Sequence, residues 1–192
     1  RWEREGIYTS YNYGVGDSSV KVILLDVRYH RDERGSDGSM LGEEQWSWLE
    51  NEFSSSKAKV VLVGGGIQFV SEDHPFESWG QFPSERQRML NLIKTTGVKG
   101  VIFLSGDRHF AELSKLNVDS LDYPIYDFTS SGLTHANFVM FERNKHRVAR
   151  CLKRNYGTIE FDWTNQTVNL NAHKLSGKIV FSEKVNFSEL GW

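Results

Sequence analysis

The residues best suited to chemistry are Asp107 and His109, in the run Ser105-Gly106-Asp107-Arg108-His109. A carboxylate and an imidazole one residue apart can reach one metal ion, or two adjacent ones. Oxygen and nitrogen donors suit manganese, iron, zinc or calcium, and the pair alone does not choose among them. Gly106 is expected to let the backbone bend there. The competing reading is a capping Asp beside a surface His, and Asp-x-His is too short a pattern to decide. Arg28 is a second candidate, because a guanidinium matches a phosphate bidentately; its alternative is an ion pair with Asp26, Asp32 or Glu33. Gln68 could turn its amide toward the same place, or serve as a loop hydrogen-bonder. His135, in Ser130-Ser131-Gly132-Leu133-Thr134-His135, is a candidate cleft residue or simply a packed or exposed His. His30, His74, His146 and His173 have no ligand-like spacing, and His173 is expected on a solvated strand face.

These candidates would be positioned by apolar runs that end at small or polar residues. Val20 to Leu25 ends in Asp26-Val27-Arg28, Lys59 to Val63 in Gly64-Gly65-Gly66, and Val98 to Leu104 in Ser105-Gly106-Asp107. Short, β-branched and nearly uncharged, they read as strands buried on both faces. Helical spacing lies between them, over Gly42 to Phe53 and Ser84 to Thr96, with Gly97 as a stop. Alternating strands and helices predict an α/β layer with parallel strands. Ligands in such sheets bind beyond the carboxyl ends of the strands, so Asp26 with Arg28, Gly64 to Gln68, and Asp107 with His109 should face one crevice. The long connections Tyr29 to Met40 and Phe69 to Phe82 are candidates for functional loops. A further strand is expected over Pro124 to Thr129. Beyond it, Thr158 to Trp163, Val168 to Ala172 and Lys178 to Val185 read as an antiparallel meander.

The 192 residues fit one domain, 1–192, divided into an α/β layer (1–135) and C-terminal strands (136–192). With 39% hydrophobic and 25% charged residues, the composition is that of an ordinary globular chain. A net charge of −2 gives no basic excess for nucleic acid and no polybasic block for a membrane surface. The single Cys151 cannot form an intramolecular disulfide or a cysteine zinc cluster. No apolar run approaches the ~20 residues of a membrane span. The chain opens at Arg1-Trp2-Glu3 with no Met and no signal-like stretch, so a processed chain or a fragment is expected. The sequons at Asn165 and Asn186 point weakly to a secretory, extracytoplasmic setting. Other chemistries fail: Gly64 to Phe69 lacks the last glycine of a dinucleotide fingerprint, and there is no P-loop and no Gly-x-Ser-x-Gly elbow. Asp26-Val27-Arg28 has Arg where an Asp-x-Asp phosphotransferase needs its second carboxylate.

Several stretches together carry a family resemblance. They are Arg4 to Tyr11, Leu24-Leu25-Asp26-Val27-Arg28-Tyr29-His30-Arg31-Asp32, Leu41 to Leu49, and Gly66-Ile67-Gln68-Phe69. Trp79-Gly80-Gln81-Phe82-Pro83-Ser84-Glu85-Arg86, Leu104 to His109 and Thr129 to His135 complete the ordered set. In these the sequence resembles the alkaline phosphatase D (PhoD-like) metallophosphatases. The resemblance implies the C-terminal part of a metallophosphoesterase-like four-layer α/β/β/α sandwich ending in an antiparallel β meander. It implies a di- or polynuclear metal centre (iron, calcium, manganese or zinc are candidates) and hydrolysis of small-molecule phosphoric esters.

Gly106-Asp107-Arg108-His109 is similar to the superfamily's Gly-His-x-His metal motif, with Asp for the first His. That makes Asp107 and His109 the implied metal ligands and catalytic pair; Arg28, Gln68 and His135, from their places after strands, stand beside them as substrate-side candidates. The superfamily motif that offers a His after a strand falls at Val63 to Gln68 and has none. The three earlier motifs, which carry most of the ligands, are not found in the chain. A metal needs at least ~4 ligands. The chain is therefore expected to hold part of an active site, to be inactive or nearly so alone, and to need the N-terminal half of the same enzyme. The alternative is a non-catalytic binding module derived from this fold.

Overall fold

The apolar runs can be buried on both faces because odd and even residues enter different cores. Ile23, Val61, Val63, Val101 and Phe103 pack into one cluster; Val20, Val60, Leu62 and Ile102 pack into another. Period-2 alternation of side chains across a sheet requires this division. The computed structural model describes residues 4–136 and 143–192. A seven-stranded sheet runs in the order β1(Thr9–Val15), β2(Ser18–Leu24), β3(Val60–Gly64), β4(Val101–Ser105), β6(Ile125–Ser130), β5(Ala111–Leu116), β7(Arg147–Cys151). A three-stranded sheet follows the order β10(Ile179–Asn186), β9(Thr167–Lys174), β8(Asn155–Asp162).

The parallel layer expected from the sequence is present as β2, β3, β4 and β6, but it sits inside a mixed sheet. β1 pairs antiparallel with β2, and β5 pairs antiparallel with both β6 and β7. The large sheet thus takes one strand, β7, from beyond residue 135. One of its faces carries helices α1(Glu43–Ser54) and α2(Pro83–Thr96), through Trp46, Leu49, Phe53, Met89 and Ile93. α2 begins with Pro83 in its first turn and stops at Gly97 in a left-handed conformation (φ 64°). Buried Glu85 on α2 accepts from the indole N–H of Trp46 on α1 (2.9 Å) and from the Met40 N–H (2.7 Å), locking the helix pair to the loop before it.

The opposite face meets Val168, Leu170, Ala172 and Val185 of the small sheet. Among the described residues the layers are therefore α/β/β, three of the four expected. The meander is as expected, with β8–β9 and β9–β10 antiparallel. His173, expected to be solvated, is buried instead (8% exposed). Its cross-strand neighbour Tyr156 stacks on the ring (4.9 Å, 8°), and Thr158 Oγ1 and the Gly177 carbonyl approach its nitrogens at 2.9 and 3.2 Å.

Candidate functional site

The ends of β2, β3 and β4 meet along one edge of the sheet. The Gly65 N–H donates to the Leu104 carbonyl (3.0 Å), and the Leu25 N–H to the Gly64 carbonyl (2.8 Å). The turn after β4 carries Asp107 and His109. Gly106 does not take the bend that the sequence assigns to it; Asp107 (φ 63°) and His109 (φ 59°) are the left-handed residues. Non-glycine residues are uncommon there, and such conformations cluster at functional sites. Ser131, in the turn after β6, holds this geometry: its hydroxyl oxygen accepts the N–H groups of Arg108 (3.1 Å) and His109 (2.9 Å). Arg108 is buried, its guanidinium over the rings of Phe76 (4.2 Å) and Phe110 (5.4 Å).

Asp107 on one side of Arg108 is exposed, and His109 on the other is half-buried. Neither side chain has a hydrogen-bond partner among the described residues. The His109 ring packs against that of His135 (4.1 Å between centroids), which is exposed and lies 3.3 Å from the Thr134 hydroxyl. Two of the expected residues and a third from the next turn are thus brought together.

Arg28 and Gln68 are bonded to other partners. Arg28 places one nitrogen 2.7 Å from both oxygens of Glu77, and Arg31 pairs with the same carboxylate. The ion-pair alternative for Arg28 is realised, with a partner in the loop before α2 rather than Asp26, Asp32 or Glu33. Gln68 is 1% exposed. Its amide nitrogen donates to Thr129 Oγ1 (2.9 Å) and Glu112 Oε1 (3.2 Å), and its amide oxygen accepts from His74 Nε2 (3.0 Å). An amide so committed cannot also face a crevice; Gln68 fastens the loop after β3 to β5 and β6.

Two buried carboxylates organise the edge. Asp26 accepts the backbone N–H groups of Ile7 (3.0 Å), Arg28 (2.9 Å) and Tyr29 (2.9 Å), while Gln45 of α1 bonds both its N–H and its carbonyl (2.8 Å each). Burial pushes the Asp26 carboxyl upward, but the three backbone donors and nearby His30 outweigh it and hold it below the usual range. Asp127 on β6 accepts from the N–H groups of Phe69 (2.8 Å) and Val70 (3.0 Å) and from the Ser105 hydroxyl (2.7 Å). Complete burial, with the neighbouring Glu112 charge adding to it, pushes Asp127 up to about 6 against these hydrogen bonds. Asp127, Glu112, Glu77 and Ser131 were not singled out from the sequence. Only Asp127 left a signal there, as a carboxylate inside the apolar strand Ile125-Tyr126-Asp127-Phe128.

Among the described residues no three His, Cys, Asp or Glu side chains come together to hold a metal ion. Asp107 and His109 nevertheless fit part of such a site: an oxygen and a nitrogen donor, adjacent and uncommitted. No helix among the described residues is long and apolar enough to cross a membrane.

The sequence profile of the PhoD-like phosphatases matches residues 2–174. Alkaline phosphatase D of Bacillus subtilis (strain 168) is 30% identical over 155 residues, which cover 69% of this chain and 25% of that protein. The structure of PhoD superposes with a TM-score of 0.71 at 20% identity, over 94% of this chain and 41% of the other. GAP50, the anchor in the inner membrane complex of Plasmodium, superposes with a TM-score of 0.69 at 14% identity (93% and 54%). A purple acid phosphatase from yellow lupin (Lupinus luteus) seeds does so at 0.64 and 15% identity (95% and 34%). These likenesses give the metallophosphoesterase fold. The chain spans about a quarter of the length of the curated relative, and with residues 2–174 matched to the family profile it belongs to the PhoD-like phosphatase family.

Proposed function

We propose that the intact protein hydrolyses small-molecule phosphoric esters at a metal centre to which Asp107 and His109 each contribute one ligand. The observation that carries this is the contrast in commitment. Asp26, Gln68 and Asp127 have their side-chain polar atoms engaged within the protein and Arg28 pairs through one nitrogen, whereas the side chains of Asp107 and His109 have no hydrogen-bond partner among the described residues. A left-handed backbone at both residues, held by Ser131, presents the two side chains, and such conformations cluster at functional sites.

When bound, the metal would neutralise charge on the phosphoryl oxygens and lower the pKa of the attacking water; iron, calcium, manganese and zinc are the candidates. His135 would steady the His109 ring by packing against it at a tilt, and can donate a hydrogen bond to the ester. Arg28 would meet the phosphate by exchanging Glu77 for it, since a bidentate guanidinium suits either anion. Gln68 acts indirectly, through the loop after β3. The remaining metal ligands would come from family sequence outside this chain, whose coverage of the curated relative is 25%. The chain alone is then inactive or nearly so.

The test uses the full-length protein with Asp107→Ala: metal-dependent phosphatase activity disappears, and retained activity would sink the assignment. Metal analysis of the full-length protein, with thermal shifts in Mn²⁺, Fe³⁺ and Ca²⁺, separates this reading from a metal-free binding module. Stoichiometric metal supports hydrolysis; none supports the module.

A further inference from the structure

Beside the Asp107 turn lies an open cleft of about 420 Å³ whose walls are mostly apolar, Ile7, Leu25, Val27 and Tyr29, with Asp26, Arg28 and Gly66 completing them. Its position follows from the backbone. Gly66 forms one wall, and the Gly66 carbonyl oxygen lies 3.5 Å from where a Cβ on Gly106 would stand. The cavity is therefore one residue's width from the chain that presents Asp107.

Its exposed apolar lips are held in place. Ile7 is 75% exposed and Tyr29 60% exposed, an arrangement that water disfavours. Yet Asp26 accepts hydrogen bonds from both lips at once, from the Ile7 N–H on one side and the Arg28 and Tyr29 N–H groups on the other. The Ile7 lip is fixed a second time through its neighbour Tyr8. That ring is buried, packs at a tilt against Trp48 (4.7 Å, 50°), lies under the Arg4 guanidinium (4.0 Å) and bonds Glu44 through its hydroxyl (3.2 Å). An apolar cleft with rigid lips and a few polar groups is the usual form of a small-molecule site. Here the charged groups at the wall are the Asp26 carboxylate, engaged by backbone N–H groups, and the Arg28 guanidinium, which pairs with Glu77 and is suited to phosphate.

We propose that this cavity receives the alcohol portion of the ester, and that it selects phosphoric esters of aryl or larger alkyl alcohols over those of small polar alcohols. The assignment rests on the phosphoesterase reading above. The phosphoryl group lies toward the Asp107–His109 turn, and the apolar group between Ile7 and Tyr29.

The experiment is calorimetric titration of the metal-loaded, full-length protein with phenylphosphonate and methylphosphonate, whose phosphorus–carbon bond is not hydrolysed. Burying a phenyl group should make phenylphosphonate bind about tenfold tighter or more. In the Ile7→Ser, Tyr29→Ser double variant that preference should fall to about twofold. Both side chains are exposed, so the variant should fold. An alkyl series on the unmodified protein (methyl, propyl, butyl) gives the same answer without mutation, as affinity rising with chain length. Equal affinity for the two phosphonates, a preference unchanged in the double variant, or a flat alkyl series would overturn the subsite and leave the phosphoesterase reading standing. Binding of neither phosphonate would overturn both.

Discussion

Asp26, at the rim of the strand-end cleft, and Asp127, inside the sheet beneath it, are both buried carboxylates that accept backbone N–H groups, yet they titrate in opposite directions. Asp26 has three backbone donors and His30 nearby, and the anion is favoured. Asp127 has two backbone donors and one hydroxyl, complete burial, and the Glu112 carboxylate as a neighbour; the proton is favoured. The hydrogen bonds around Asp127 can accept that proton. Ser105 Oγ lies 2.8 Å from Thr129 Oγ1 as well as 2.7 Å from Asp127. The hydroxyl can therefore turn to donate to Thr129 and accept from a protonated Asp127. The rim carboxylate is a charged clamp on two loops; the inner one is a joint between the loops after β3 and β4 that tolerates either charge state.

Truncation should separate the two most strongly. Asp127→Ala leaves the Phe69 and Val70 N–H groups without an acceptor inside the protein, and opens a small void. Buried unsatisfied donors cost about 1–3 kcal/mol each, so a loss of about 4 kcal/mol is expected in urea unfolding followed by tryptophan fluorescence. Asp26→Ala releases its donors at the edge of an open cleft, where water can replace the carboxylate, and should cost about half as much. Equal losses would mean that the cleft edge is as dry as the sheet interior.

Asp127 has a folded pKa of about 6, above its ordinary 3.8, so the folded state binds the extra proton between these values and stability falls as pH rises through that window. Asp26 behaves oppositely: its folded pKa is depressed, so its contribution is complete above the unfolded value and is lost as pH falls through the folded one. Asp127→Asn should therefore gain on the parent protein between pH 4 and pH 6 by about 3 kcal/mol, the equivalent of two pKa units. Asp26→Asn should lose ground over the same direction of change. Parallel stability curves for parent and Asp127→Asn would show that Asp127 is ionised throughout.

The same contrast explains what could be read from the sequence. β2, β3 and β4 were legible because strands buried on both faces are continuous apolar runs, and the helices because one stripe of each faces the sheet. β5 and β7 were not, because their polar residues are buried by partners distant in the chain. Glu112 on β5 is neutralised by Arg147 on β7 and bonded by Gln68 and Asn144, a set no local pattern displays. β1 is aromatic and polar, and takes its extended form from the hairpin with β2. Asp107 and His109 could be singled out because a turn leaving a buried strand announces itself. Gln68 was assigned to the crevice for the same reason, but its direction is set by Thr129, Glu112 and His74, which only the folded chain assembles. The Glu77 partner of Arg28 lies 49 residues away in sequence, beyond any spacing argument.

The smallest expected effect bears on Asp107 itself, the carboxylate that neither clamps nor joins. A non-glycine residue in the left-handed region costs about 1 kcal/mol or more, somewhat less for Asp. Replacing Asp107 (φ 63°) with Gly would relieve that strain, while the freer unfolded chain takes back about 0.5 kcal/mol. Asp107→Gly should thus leave folding stability unchanged or raise it by less than about 1 kcal/mol, even as it removes a ligand from the proposed metal centre. A loss of about 1 kcal/mol or more would instead assign Asp107 to the turn as a cap, the alternative that Asp-x-His leaves open in the sequence. Asp26 and Asp127 are both expected to fail this test and Asp107 to pass it, because only a carboxylate without a structural duty can be removed at no structural cost.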